Sequence, residues 1–156
     1  MEGNTKQEKK MRFSTKTRYG VRAMVDLAGN FKGRPIGIKD IARRQRVSEK
    51  YLEHIMLELK KAGFVQSISG AKGGYILARE PSEIKLSELV KVLEGTLAPV
   101  ACVEHKGLCK WVDSCAVREV WVKIKEEIKK TLGSITLEEL VKKEREKKEK
   151  VLSYQI

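Results

Sequence analysis

The chain has 156 residues, 41% of them hydrophobic, and a formal net charge of +12. That length suits one compact domain or a small domain with an oligomerisation element, and that apolar share excludes wholesale disorder. No apolar run approaches the roughly 18–20 residues of a membrane span, and three cysteines confined to residues 102–115 exclude a disulfide scaffold and point to a reducing compartment.

The first ten residues, MEGNTKQEKK, are polar and lack the apolar core of a secretory signal, so a cytoplasmic protein with a disordered N-terminal extension is expected. The segment 14–30 reads as a helix. Val21, Met24, Val25 and Ala28 recur at i, i+3, i+4 and i+7, with Ser14 or Thr15 to cap the start and Gly29-Asn30 to end it. After a turn at residues 32–35, Ile38, Ile41 and Ala42 form the inner side of a short second helix. Arg46–Ser48 is a tight connection, and Ser48 is a good N-cap for a third helix whose stripe is Leu52, Ile55, Met56 and Leu59. A short helix, a brief turn and a longer helix are helix-turn-helix spacing. The run FVQSIS-GAKGG-YILA (64–78) then reads as a β-hairpin with a loop of about five residues. A helix-turn-helix followed by a hairpin is a winged helix, so the predicted class is mainly α with a small β wing.

Residues 86–95 form a further short helix, and residues 98–115 a cysteine-containing loop with Pro99 and Gly107. From Ser114 the helical pattern resumes. Val117, Val120, Trp121, Ile124 and Ile128 make an apolar stripe beyond the basic domain, a candidate dimer seam on a long C-terminal helix. Thr136 and Glu139 have capping-box spacing. Residues 141–156 read as a charged tail that frays into solvent. The expected division is thus an extension (1–10), a winged-helix domain (11–85), a cysteine-loop and dimerisation region (86–140) and the tail.

Charge follows this division. Residues 11–80 carry 15 Lys and Arg against 6 Asp and Glu, whereas residues 81–140 carry 9 against 10. A positive field concentrated on the winged helix is the footprint of phosphate-backbone binding. It argues against a protein-interaction module that has kept the fold and lost DNA. In a helix-turn-helix the start of the second helix faces base edges, here Ser48, Glu49, Lys50, Glu53 and His54. Glu53 suits a cytosine amino group and Lys50 a phosphate or guanine. In the wing loop, Lys72 brings charge to the tip and the glycines allow close approach. Tyr51, Arg43, Arg12, Ser69 and Gly73 complete the candidate contacts with double-stranded promoter DNA.

The thiols are spaced C-x6-C-x5-C at Cys102, Cys109 and Cys115, among Lys, Glu, Asp and Gly rather than in an apolar core. Thiolates are favoured ligands of iron–sulfur clusters and zinc. Adding His105 gives a complete Cys3His zinc set. A thiol–disulfide switch is the third reading and unrelated thiols the fourth. No nucleophile elbow, phosphate loop or metalloprotease motif is present, so neither an enzyme nor a small-molecule substrate is expected.

MRFSTKTRYGVRAMVDLA, IKDIARRQRVSEKYLEHIMLELKKAGFVQS, GAKGGYILA and the three-cysteine loop followed by REVW resemble, in that order, the Rrf2 family of bacterial winged-helix regulators. The resemblance spans about residues 11–140. It implies a homodimeric DNA-binding transcription factor whose long helix, about 114–131, forms the dimer interface. It also implies that Cys102, Cys109 and Cys115 hold a [2Fe–2S] or [4Fe–4S] cluster, and that Glu53 is a base reader sensitive to it. Three positions depart from cluster-binding members. Arg118 stands where one relative has a histidine ligand, and Arg18 where another has an aspartate. Ser69 stands where a wing arginine is found, a role Lys72 fills in part. The fourth ligand is then open to His105, a carboxylate such as Glu104, water or a small thiol.

Overall fold

The structure, a computed structural model, describes residues 12–155; the expected N-terminal extension lies outside the described residues. Helix α1 (Thr15–Gly29) begins at Ser14, whose hydroxyl accepts the Thr17 amide hydrogen. Helix α2 (Ile38–Gln45) closes on Arg46, which adopts the left-handed conformation at φ 54° and ψ 48°. Helix α3 (Glu49–Lys61) follows two residues later, and its cap Ser48 accepts from the Tyr51 amide. Leu52, Ile55, Met56 and Leu59 are fully buried, as their spacing predicts. They meet Ala23, Met24 and Leu27 of α1 and Ile41 of α2 in one core.

Strands β1 (Val65–Ile68) and β2 (Gly74–Leu77) pair antiparallel, Val65 opposite Leu77 and Ile68 opposite Gly74, around a five-residue loop. Ile36 adds a third short edge by exchanging both backbone bonds with Tyr75, at 3.0 and 2.8 Å. That edge runs close to Gly74, which sits at φ 152°. A Cβ there would lie 2.4 Å from the Ile36 backbone, so a side chain at this position would push the wing off the α1–α2 connection.

A 3-10 turn (Pro81–Glu83) leads to α4 (Leu86–Glu94), which lies along α1 with Leu89 and Leu93 buried. The crossing is close because Gly20 has no side chain: a Cβ there would meet Leu93 Cδ1 at 2.5 Å and Ile55 Cγ2 at 3.2 Å. One carboxylate oxygen of Glu94 accepts from the Ser14 amide (3.0 Å), the Ser14 hydroxyl (2.9 Å) and the Thr17 hydroxyl (2.5 Å). The end of α4 is thereby tied to the start of α1, and the acidic group also suits the positive helix terminus.

The expected cysteine loop contains more structure than its Pro and Gly suggest. Residues Ala101–Glu104 form a one-turn helix, α5, and Lys106–Leu108 a 3-10 turn, held by His105 and Leu108 amides that donate to the Ala101 and His105 carbonyls. Helix α6 (Ala116–Gly133) starts two residues later than its pattern suggests and buries none of its residues fully. Helix α7 (Leu137–Tyr154) has the predicted capping box, with Thr136 and Glu139 bonding reciprocally. The frayed tail is not observed. Helix α7 continues through residues 141–154 because Leu137 and Val141 are buried, Arg145 donates to the Gly29 carbonyl at 3.2 Å, and Lys148 pairs with Glu144 one turn back. Among the described residues no helix is long and apolar enough to cross a membrane.

The Glu94 junction predicts a measurable cost. Glu94→Ala removes the shared acceptor of three donors, one of them the buried Thr17 hydroxyl. It is expected to destabilise the fold by about 1–3 kcal/mol, read as a lowered urea midpoint at unchanged slope.

Candidate nucleic-acid interface and thiol segment

With its apolar side buried, α3 presents Ser48, Glu49, Lys50, Glu53 and His54 on the exposed side. Tyr51 is half-buried and meets Tyr19 edge-on at 6.2 Å, while the Arg22 guanidinium lies 5.5 Å from the Tyr19 ring centre. Tyr51 therefore fixes the start of α3 against α1 as well as bordering the exposed side. Ser69 and Lys72 are exposed in the wing loop and Gly73 is half-buried. The wing is tied to α3 by Lys60, whose ammonium donates to the Ser67 hydroxyl at 2.7 Å. Arg43 is 76% exposed and, among the described residues, bonded only to Asp40, within its own helix. Arg12 lines a groove beside α6.

Sequence patterning does not reveal what holds α2 in place. The Asp26 side chain, 8% exposed, accepts two bonds from the Arg44 guanidinium, at 2.8 and 2.6 Å, and one from the Gln45 amide at 3.1 Å. Arg22 in turn donates to Gln45 at 2.9 Å. Forked pairing of this kind fixes direction as well as distance. The bond to Asp26, opposed by desolvation, raises the Arg44 pKa further above its ordinary value. Arg44 is therefore a brace between α1 and α2, whereas its neighbour Arg43 projects outward. The only signal for this in the chain is an acid on the edge of the α1 stripe, with its partner 18 residues away.

All three cysteines are half-buried free thiols: Cys102 on α5, Cys109 after the 3-10 turn and Cys115 at the N-cap of α6. Among the described residues no three His, Cys, Asp or Glu side chains converge as metal ligands, so neither the three thiols of Cys102, Cys109 and Cys115 nor the Cys3His set is brought together. His105 is exposed and borders the groove beside α6. Glu104, an expected alternative ligand, is engaged elsewhere. It accepts from Lys125 of α6 at 2.8 Å and from the Thr96 hydroxyl at 3.0 Å, and these bonds, Lys125 first, hold its carboxyl below the usual range. Arg118, at the departing position, donates to the Cys102 carbonyl at 3.4 Å. The segment is thus fastened to α6 by two basic side chains, while its three thiols remain chemically suited to a soft metal or cluster.

A basic winged helix with an exposed recognition side defines this class: a DNA-binding transcriptional regulator. A family profile described as Rrf2, iron-dependent transcriptional regulator, matches residues 13–143. The chain belongs to the Rrf2 family. It is 41% identical over 130 residues to the HTH-type transcriptional regulator CymR of Bacillus subtilis, covering 83% of this chain and 89% of that protein. It is 38% identical over 132 residues to the regulator IscR of Xenorhabdus nematophila, covering 85% and 80%. Among solved structures it resembles T. potens IscR at a TM-score of 0.71 and 45% identity, over 85% of this chain and 87% of that one. These relatives are regulators, not enzymes.

The brace makes its own prediction. Asp26→Ala leaves Arg44 and Gln45 without their shared acceptor and is expected to cost about 1–3 kcal/mol. Chemical denaturation checks this. Arg43→Ala, one residue away but exposed, should stay within about 0.5 kcal/mol.

Proposed function

We propose that the chain acts as a homodimer that binds a palindromic promoter site in the cytoplasm and reports iron–sulfur or thiol state through Cys102, Cys109 and Cys115. The observation that carries this reading is the placement of the thiols. Three half-buried cysteines lie in one segment, the last of them at the N-cap position of α6, and Arg118 and Lys125 of α6 bond back to α5. Any change in how the thiols are ligated acts on the helix that carries the candidate seam. A few kcal/mol of differential stability suffices to shift a two-state equilibrium.

The seam is α6. Val117 and Val120 are 55% and 52% exposed, and Trp121, Ile124 and Ile128 are half-buried on the same helix. Pairing two such helices covers these side chains and presents two α3 helices to one duplex, with half-sites about one helical turn apart. Glu53 reads a base edge, Lys50 holds backbone or guanine, and Lys72 carries the wing to the backbone. Cys102, Cys109 and Cys115 supply three ligands to a [2Fe–2S] or [4Fe–4S] cluster; when bound, it supplies an oxidation-sensitive crosslink of the segment. The Arg118 and Glu104 side chains are occupied, so the fourth position falls to His105, water or a small thiol.

Anaerobic purification tests the sensor. The expected protein is brown, absorbs near 400 nm and contains iron and sulfide, and Cys109→Ala loses the colour. Colourless protein with one zinc per chain would instead place the metal in a Cys3His set with His105. DNA binding is tested separately by titration against salt. Lys72→Ala should reduce the slope of log K against log salt by about 1, and Glu53→Ala should relax preference at one base pair by about 1–3 kcal/mol.

A further inference from the structure

Beside α6 lies an open groove of about 970 Å³. Its walls are apolar, with Phe13 before α1, Leu97, Pro99 and Val100 from the connection after α4, and Ile128 and Leu132 from α6. Its lining also carries Glu94, Glu104 and Glu127 against one arginine, Arg12; Glu104 is already paired with Lys125, and the remainder is net negative. The chain also displays a segment of the opposite character. In Lys106–Trp111, Leu108 is 67% and Trp111 70% exposed, on either side of Cys109, and Lys106 and Lys110 are the only charged residues. Outside the end of α7 these are the two most exposed large apolar side chains of the described residues. Trp111 does not enter the groove of its own chain, since it stands mostly in solvent.

We propose that Trp111 of one chain seats in this groove on a second copy, with Lys106 and Lys110 beside its remaining carboxylates. The inference rests on the homodimer reading and deepens it. Ile128 belongs both to the groove wall and to the α6 stripe, so the seat is continuous with the proposed seam. The exchange is reciprocal, as a two-fold interface requires, with each chain giving a ring and receiving one. A buried tryptophan in an apolar pocket, ringed by polar groups, is the common form of an interface hot spot. The consequence is positional. Cys109, two residues from Trp111, lies at the subunit contact, so ligation or oxidation of that thiol acts on the partner directly.

The test places a photoreactive p-benzoylphenylalanine at position 97 of the full chain. The crosslinked protein is prepared from exchanged 15N-labelled and unlabelled subunits. The expected product joins residue 97 to the peptide beginning at Trp111, with the two halves carrying opposite labels. The reciprocal probe at position 111 should capture the region of Phe13 or Leu97 in the other chain, which guards against loss of the seat through the first substitution. Trp111→Ala should raise the dimer dissociation constant about tenfold or more, as hot-spot truncation does. Capture of only the partner's α6, of residues 1–11 of the same chain, or of no protein by both probes overturns the seat. Sedimentation of the same samples separates the two readings: an intact dimer without the 97–111 product overturns the seat alone, and a monomer overturns both.

Discussion

The close crossing of α1 with α3 and α4 at Gly20 is the constraint on which the other positions depend. Because no side chain stands there, Leu93 and Ile55 reach the α1 backbone, and three helices share one contact point. Elements outside the crossing are then referenced to α1. Its first turn is held by Glu94, its flank holds α2 through Asp26 and Arg44, and its last carbonyl receives Arg145 from α7. A winged helix needs such a reference because α3 reads DNA only if its exposed side is held at a fixed angle to the wing. Here Tyr19 against Tyr51 and Lys60 to Ser67 set that angle from the two ends of α3.

The same frame extends to the thiols. The chain leaves α4 at Glu94, passes Thr96 and enters α5 within a few residues. Glu104 then bonds to both Thr96 and Lys125. The cysteine segment is therefore suspended between the recognition domain and α6 rather than appended to either. This arrangement gives the cysteine segment a short mechanical path both to the winged helix and to α6.

Much of this was legible from local pattern. The Leu52, Ile55, Met56 and Leu59 stripe, the Ser48 cap, the five-residue wing loop and the Thr136–Glu139 box each depend on residues within one or two turns of each other, where periodicity and capping chemistry operate. What local pattern missed was tertiary. The pairing of Asp26 with Arg44 and of Glu104 with Lys125 joins residues about 20 apart, among many Lys, Arg and Glu that offer equivalent alternatives in sequence. The helicity of residues 141–154 was missed for a related reason. Composition there favours solvation, but Leu137 and Val141 anchor the helix start, and good helix formers carry it onward.

One corner of the helix-turn-helix carries a preference that folding alone does not explain. Arg46 holds a left-handed backbone conformation that costs a side-chain-bearing residue about 1 kcal/mol and glycine almost nothing. Glycine or asparagine is the residue that a turn of this shape selects on conformational grounds. A guanidinium there adds positive charge between Arg43 and Lys50, beside the start of α3. Arg46→Gly would relieve that cost, so the turn holds an exposed positive charge at a position whose backbone favours glycine.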